Sequence, residues 1–202
     1  MSEPMIGRPR PASIDDLDTI VDILVGAFYE DPTWSWAFPD PDQRRRQHRE
    51  LWSIFARGAL RFPYTWLTPA DTATALWIPP GAEELDAAQE DEVEAFIERE
   101  LGGDAPRVLA LLEQFDEAHP RGTDHFYLSF LGTRVEDRGH GYGLSLLGAT
   151  LKSIDQQHQP AYLEASNEVN VELYGRFGFT TRDRFRPQAD GPVVTTMWRD
   201  PQ

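Results

Sequence analysis

Three glycines alternate with other residues in a short stretch, RGHGYG, that covers residues 138–143. The apolar run HFYLSFLG precedes it and the apolar run LSLLGATL follows it. These runs are typical of a strand and a helix, so the stretch is a turn that leads into a helix N-terminus. Glycine lets the backbone approach a ligand closely, and free N–H groups at a helix N-terminus attract phosphate. One interpretation of the turn is therefore a backbone site for a pyrophosphate.

Two other interpretations of the turn compete with this one. A dinucleotide-binding fingerprint reads GxGxxG, but position 144 is Leu, and counted from Gly141 the last glycine position is Leu146. Glu164 lies 21 residues after Gly143 and could bind a ribose, yet fewer than 40 residues follow it, which leaves little room for a doubly wound sheet. In the third interpretation, the glycines only make a tight connection between a strand and a helix.

The residues after the turn favour the first interpretation, because the chain here resembles the GNAT acetyltransferases. Residues 138–143 match the family's loop (Gln/Arg)-x-x-Gly-x-(Gly/Ala), which binds the acetyl-CoA pyrophosphate. LEASNEVNVELYGRFGF, residues 163–179, is similar to the family's second signature: a strand, an Asn, and a helix that carries Tyr followed by Gly-Phe. The two motifs together are more specific than either alone. The chain is most similar to the puromycin N-acetyltransferase-like branch, closely in its C-terminal 80 residues and more loosely over residues 32–120.

The resemblance implies a fold and a domain organisation. The implied fold is α/β, with a mixed, mostly antiparallel central sheet that is flanked by helices and splayed at the cofactor cleft. The chain is expected to form one acetyltransferase domain over residues 1–202, with an acidic helical insert at about 83–118 and an acetyl-CoA-binding core at about 125–180. The insert either lines the acceptor pocket or offers a surface to a partner.

The resemblance also implies the residues that bind acetyl-CoA. Main-chain groups near the end of the first strand would contact the acetyl carbonyl and the pantetheine arm, and those of the turn would contact the pyrophosphate. Asn170, which matches the puromycin-type branch, is favoured slightly for a further contact over Asn167. Asn167 matches the position in the broader family, but an Asn there more commonly caps a helix. The expected cofactor-binding residues are Leu131, Gly132, Thr133, Arg138, Gly139, His140, Gly141, Tyr142, Gly143 and Asn170.

Acetyl transfer to an amine needs a proton acceptor for the ammonium group and a proton donor for the departing thiolate. Tyr174 matches the family's general acid. The base is left open between Glu164, His125 and a water relay. For the acceptor, Phe28 and Trp34 offer aromatic walls and Asp31 a charge that attracts an ammonium group, although the aromatics could equally be core.

Composition limits the function classes. The formal net charge is −15, which disfavours nucleic-acid binding and suits cationic small molecules, or merely aids solubility. The chain has no cysteine, and its five histidines show no tight ligand spacing, so no metal site is expected. No apolar run could span a membrane, and MSEPMIGRPRPAS lacks the apolar core of a signal peptide, so a cytoplasmic location is expected.

Other elements must position these residues. The helix that carries Phe28 is expected to begin with Ser13 as its N-cap and to end near Asp31, with a loop over 32–42. Further helices are expected over 43–60, 83–118 with a break at the glycines 102–103, 144–154 and 167–177. Strands are expected over 64–68, 72–79, 125–133, 160–166, 179–186 and 192–198, with a turn at 189–192.

Together these observations predict an acetyl-CoA-dependent N-acetyltransferase that acts on a primary amine of a small molecule, by direct transfer in a ternary complex, and that is able to form a homodimer. A CoA-binding regulator or scaffold of the same fold is the first alternative. The second is a nucleotide-dependent oxidoreductase or methyltransferase that uses the glycine turn.

Overall fold

The computed structural model describes residues 7–189 and 191–202, so that Asp190 of the expected turn and the first six residues of the chain lie outside the described residues. Seven strands form one sheet in the order β1-β2-β3-β4-β5-β7-β6. Neighbouring strands are antiparallel except for β4 and β5, which are parallel, as the predicted mixed, mostly antiparallel sheet requires. The strands are β1 Arg10–Pro11, β2 Thr65–Leu67, β3 Ala73–Ile78, β4 Phe126–Thr133, β5 Ala161–Ala165, β6 Thr180–Phe185 and β7 Val194–Arg199.

The parallel pair at the centre of the sheet separates along its length. Residues 126–128 of β4 pair with residues 161–163 of β5, and both strands then continue without further pairing to each other. On its other side, β4 remains paired with β3 as far as Thr133. The gap between β4 and β5 therefore opens toward their C-terminal ends, as predicted for a splayed sheet.

A β-bulge on β4 lies where this gap begins. Trp77 of β3 pairs with Leu128 and Leu76 pairs with Phe130, so that Ser129 has no partner in β3. An extra residue reverses which face of the sheet the following side chains occupy. Leu128 accordingly packs in one core cluster and Phe130 in the other.

Over the described part of the chain, seven α-helices cover the two faces. The first five belong to one face, where their apolar side chains form a core with Phe130, and α6 packs against β3 and β4 in the second core. No helix among the described residues is long and apolar enough to cross a lipid bilayer. The helices are α1 Leu17–Phe28, α2 Pro32–Ala37, α3 Pro41–Ala59, α4 Ala87–Leu101, α5 Ala105–Ala118, α6 Tyr142–Asp155 and α7 Val169–Gly175.

Local capping explains where several helices begin. Ser13 and Asp16 form a capping box ahead of α1. In α4, Asp86 and Gln89 make the same reciprocal arrangement. Helix α4 ends at Gly102, whose positive φ of 50° starts the break before α5. The two helices of the predicted acidic insert thus form as expected.

The prediction of a loop over 32–42 was wrong for most of that range, because residues 32–37 form α2 and α3 begins at Pro41. The Asp31 carboxylate accepts hydrogen bonds from the main-chain N–H groups of Thr33 and Trp34, and Pro32 occupies the first helical position. An Asp cap followed by Pro is a helix-start signal. The short helix turns both tryptophans of this segment toward α5, with Trp34 buried.

A buried ion pair joins α6 to β7 at the end of the sheet that lies away from the gap. Both guanidinium Nη atoms of Arg199 donate to the carboxylate of Asp155, at 2.6 and 2.8 Å, and Nε donates to the carbonyl of Phe177. The Arg199 side chain is 4% exposed and that of Asp155 is 16% exposed. This pairing lowers the pKa of Asp155.

We expect Asp155→Asn to lower the free energy of unfolding by roughly 3 kcal/mol, because it leaves the buried guanidinium without a counter-charge. Urea denaturation monitored by circular dichroism measures this. Asp116→Asn is the matched control: its ion pair with Arg121 is exposed at both ends, so a change below about 1 kcal/mol is expected. Similar losses for both variants would contradict this role of the buried pair.

Candidate active site

A cavity of about 620 Å³ lies on the face of the sheet that carries the first five helices, and it reaches the gap between β4 and β5. The sheet contributes Tyr127 and Glu164 to its wall, while α4 and α5 contribute apolar side chains such as Val93 and Phe115. The acidic helices therefore line the cavity. Among the residues that the sequence singled out, the cavity brings together Phe28, Trp34, His125, Leu131, Glu164, Asn170 and Tyr174.

Glu164 lies on β5 just beyond the last residue that pairs with β4. Its side chain is 3% exposed. Burial raises its pKa to about 8, because a charged carboxylate is poorly solvated there, and the neighbouring hydroxyls of Tyr162 and Tyr127 offset only part of this effect. A carboxyl with a pKa near neutrality is suited to accept a proton from a substrate.

Two histidines connect Glu164 to the rim of the cavity. Nδ1 of His119, at the end of α5, is 4.0 Å from the Glu164 carboxylate. Nε2 of His119 is 3.1 Å from Nε2 of His125, whose Nδ1 is 2.7 Å from the carbonyl oxygen of Thr123. Burial lowers the pKa of both rings, that of His119 to about 4, so both are neutral at pH 7. Glu164 and His125, expected as alternative bases, thus belong to one chain of groups through His119.

A second carboxyl of this cavity belongs to Glu84, in the loop that follows β3. Ser129, the bulged residue of β4, donates a hydrogen bond from its hydroxyl to this carboxyl. Burial raises the pKa of Glu84 to about 7, while the Ser129 hydroxyl and the charge of Arg61 oppose the shift. The charge of Glu84 in turn contributes to the raised pKa of Glu164, which means that the two carboxyls interact through the cavity.

Helix α7 carries Tyr174 and Asn170 along the same cavity. Burial raises the pKa of the Tyr174 hydroxyl, and the charge of Asp31 adds to the shift, so the hydroxyl keeps its proton. Asn167 lies just before this helix, and its side-chain oxygen accepts from the N–H of Val169 at 3.1 Å. Of the two asparagines, it is Asn170 that lines the cavity.

Asp31 is held by hydrogen bonds within the protein. Besides the two N–H groups of α2, the hydroxyl of Ser166 donates to its carboxylate at 2.8 Å. Thr33 adds a bond from its hydroxyl to the carbonyl oxygen of Ser166 at 3.0 Å. These contacts tie the start of α2 to the end of β5. Asp31 is itself buried, and burial raises its pKa.

The aromatic residues expected near the acceptor form part of a cluster behind the cavity. Trp34 packs edge-on against Trp52 with ring centroids 4.6 Å apart, and it stacks on Phe115. Phe28 lies edge-on to Phe130 at 5.6 Å. Both Trp34 and Phe28 serve as core and as cavity wall, so the two interpretations of these aromatics are compatible.

The glycine turn lies at the start of α6. Gly139 and Gly141 have positive φ values of 81° and 78°, a conformation that favours glycine. At Gly143, a Cβ would lie 2.5 Å from Oγ1 of Thr133, so the first turn of α6 packs directly on the end of β4. Within residues 7–189 and 191–202, we find no acceptor for the main-chain N–H groups of residues 139–144. These groups can therefore bind an anion.

The side chains of the turn have other contacts. Arg138 donates from Nη2 to the carbonyl oxygens of Gly26 and Ala27, at 3.3 and 2.7 Å, in the last turn of α1. His140 is exposed and stacks on Tyr142 at 5.9 Å. Arg138 thus contacts neither of the acidic residues that precede it, and it braces the turn against α1. The main chain of Leu131, Gly132 and Thr133 lies alongside, at the unpaired edge of β4.

Sequence reasoning missed Glu84, His119, Tyr127 and Ser129. Glu84 is one of many acidic residues in its segment, and nothing in its spacing distinguishes it. His119 and His125 flank a turn that contains Pro120 and Gly122, and this arrangement was the available signal that they could meet.

Comparisons with known proteins agree on the fold. No protein-family model matches the chain. An uncharacterised N-acetyltransferase of Schizosaccharomyces pombe is 32% identical over 82 residues, which is 39% of this chain; the match covers 33% of the relative's own length. The likeness to the puromycin-type branch stays a prediction.

Several solved structures superpose on nearly the whole chain. A histone acetyltransferase HPA2 and related acetyltransferase from Corynebacterium glutamicum does so with a TM-score of 0.70 and 24% identity, over 98% of both chains. A polyamine N-acetyltransferase of Drosophila melanogaster, which forms N-acetylagmatine, gives a TM-score of 0.64 and 16% identity over 95% of this chain and 98% of the other. For the NatC complex bound to Gag peptide and CoA, the TM-score is 0.52 with 12% identity, over 95% and 96% of the two chains. The chain therefore has the fold of the GNAT-type N-acetyltransferases.

Proposed function

We propose that the protein is an acetyl-CoA-dependent N-acetyltransferase that acetylates a primary amine of a small molecule by direct transfer in a ternary complex. One observation carries the proposal: anion-ready N–H groups and a buried, proton-accepting carboxyl lie at the same gap between β4 and β5. The fold neighbours support it, since one is an amine acetyltransferase and another is bound to CoA.

The residues around the glycine turn fit acetyl-CoA. The N–H groups of residues 139–144 would receive the pyrophosphate, and Gly143 lets them lie beside the end of β4. The unpaired edge of β4 at residues 131–133 offers main-chain groups to the pantetheine arm and the acetyl carbonyl. When bound, acetyl-CoA supplies an activated acetyl group as a thioester.

Glu164 serves as the base in this proposal. An alkylammonium group with a pKa of about 10 must lose a proton before its nitrogen can attack. In its ionised form, Glu164 takes this proton, and His119 and His125 extend a path from Glu164 to the rim.

Tyr174 serves as the acid. As the C–N bond forms and the C–S bond breaks, the Tyr174 hydroxyl gives its proton to the departing sulfur and then takes the remaining extra proton of the attacking nitrogen. The products are an amide, the free thiol of CoA and protonated Glu164. The buried hydroxyl is fully protonated before the reaction because its pKa is raised. Main-chain N–H groups near residues 131–133 would stabilise the negative charge that develops on the carbonyl oxygen.

We expect Gly143→Ala to weaken CoA binding, because the new methyl group meets Thr133 and moves the start of α6 away from β4. A stability loss of about 1–3 kcal/mol is expected as well. Isothermal titration calorimetry with CoA measures the affinity. Gly175→Ala is the control, since nothing lies within 4 Å of its Cβ position. A folded Gly143→Ala protein with unchanged CoA affinity would remove the turn from the cofactor site.

For Tyr174→Phe, turnover is expected to fall by about 100-fold or more while CoA affinity is retained, since the variant lacks only the proton donor. Thiol release from acetyl-CoA, followed over a panel of amines, measures this. Tyr64→Phe is the control, because its hydroxyl lies outside the cavity. Tight CoA binding with no thiol release for any amine in the wild type would instead support the non-catalytic CoA-binding alternative.

The pH profile of kcat/KM tests Glu164. Because its pKa in the free protein is raised to about 8, the rate should rise with pH up to about 8 and fall roughly tenfold for each unit below it. Glu164→Gln should have a kcat/KM that is lower by about 100-fold or more and that no longer rises with pH in this range. The exposed Glu172→Gln should keep the wild-type profile. If Glu164→Gln showed the same rise of kcat/KM with pH as the wild type, another group would have to be the base.

A further inference from the structure

Glu84 is a partly buried residue of the cavity wall, and acetyl transfer does not require its carboxyl. It lines the same cavity as Glu164 and is bound by the hydroxyl of Ser129, at the point where β4 bulges toward the cavity. A buried carboxyl that only stabilised the fold would normally have a cationic partner or several donors. Within the described residues, the Glu84 carboxyl has one hydrogen-bond donor and no ion-pair partner.

The nearest arginine is engaged elsewhere. Nη2 of Arg61 donates to the main-chain oxygens of Glu83 and Glu84, at 2.7 and 2.9 Å, and Nη1 is 3.5 Å from the Asp86 carboxylate. Arg61 is not among the residues that line the cavity. The charge of Arg61 therefore lowers the pKa of Glu84 without Arg61 entering the cavity. The carboxyl of Glu84 stays available to a ligand in the cavity.

The cavity as a whole is built for cations. Among the described residues that line it, Arg121 is the one with a permanently positive side chain, and that side chain is exposed and paired with Asp116. Further lining carboxylates are those of Glu83, Glu90, Glu94 and Asp124. His119 and His125 are neutral at pH 7 and so do not oppose a cation.

The two buried carboxyls mark two positions for positive charge. Glu164 lies at the gap between β4 and β5, where its 3% exposed side chain is close to the hydroxyls of Tyr162 and Tyr127. It has no cationic partner among the described residues, since His119, 4.0 Å away, is neutral at pH 7. Glu84 lies next to Ser129, two residues along β4 from Tyr127, and the charges of both Glu84 and Glu164 raise the pKa of the Tyr127 hydroxyl. Apolar side chains, including Phe28, Phe55 and Phe130, cover the wall between α1, α3 and the sheet and suit a methylene chain.

We propose that the acceptor is a dibasic amine, in which one amino group reaches Glu164 to be acetylated while the second cationic group pairs with Glu84, so that Glu84 determines substrate specificity. This inference rests on the proposed acetyltransferase function. A monoamine of equal length fills the same apolar wall but leaves Glu84 without a partner. A diamine gains a charge-assisted hydrogen bond in a site shielded from water.

The test compares putrescine with n-butylamine, which has the same four-carbon chain and lacks the second amino group. With wild-type protein, kcat/KM should favour putrescine by tenfold or more, mainly through a lower KM. In Glu84→Gln this preference should fall to near one. Glutamine replaces the protonated carboxyl with little change of shape and can still accept from Ser129, so the variant should fold. Glu98→Gln, an exposed change of the same charge on α4, should keep the preference.

Binding without turnover separates this inference from the proposed function. Putrescine should raise the Tm of the wild-type protein more than n-butylamine does, and the difference should vanish in Glu84→Gln, whether or not acetyl-CoA is present. A diamine-specific shift without thiol release would uphold the cation site and refute the acetyltransferase. A wild type that does not distinguish the two amines would overturn the inference. An equal fall of kcat/KM for both amines in Glu84→Gln would also overturn it, because Glu84 would then act in the reaction or in the fold and not in the choice of amine.

Discussion

The separation of β4 from β5 is the constraint on which the rest of the structure depends. Main-chain groups at the edge of a strand normally pair or meet water, and here the pairing stops after residues 126–128 and 161–163. The end of β5 is held away from β4 by Ser166, which bonds to Asp31 and Thr33 at the start of α2. The end of β4 is held by β3 on one side and by the first turn of α6 on its face. The gap is therefore maintained by contacts on both sides.

The gap gives each face of the sheet a different role. On one face, α6 presents free N–H groups beside the end of β4, which suits an anion. On the other face, the first five helices enclose a cavity with two carboxyls that are difficult to ionise. An anionic cofactor and a cationic acceptor would thus approach the same opening from opposite faces. The anion site consists of main-chain N–H groups of the turn and α6, whereas the carboxyls of the cavity are side chains. The bulge at Ser129 changes which side chains of β4 face that cavity.

The cavity carboxyls also link binding to protonation. Burial raises the pKa of Glu84 to about 7 and that of Glu164 to about 8. An arriving ammonium group stabilises the charged carboxylate and so favours release of its proton. In the proposed reaction, the ammonium group would therefore promote the ionisation that Glu164 needs before it can act as the base. The burial of these carboxyls also costs stability as the pH rises above the unfolded-state value of about 4.5, because the unfolded chain then loses protons that the folded protein retains.

The sequence by itself determined the elements with strong local signals. It predicted the strand, glycine turn and helix at 125–154, the second motif at 163–179, the helical pair α4 and α5, and the mixed sheet. Each depends on apolar periodicity, capping or glycine, which act over a few residues. The helix α2 was missed because residues 32–42, which are rich in proline, have the composition of a loop. Asp31 and Pro32 nevertheless carried the signal for the start of a helix.

Only the tertiary structure decided which distant side chains share the cavity. Glu84 and Ser129 are 45 residues apart in sequence, and Asp31 and Ser166 are 135 apart. Their contacts depend on strand register, on the bulge and on the packing of α5 against the sheet, which no local pattern specifies. The raised pKa values of Glu84 and Glu164 arise in the same way, because burial is a property of the assembled core. The sequence thus determined which chemical groups are available. The packing decided which carboxyls lose enough contact with water for their pKa to rise toward neutrality.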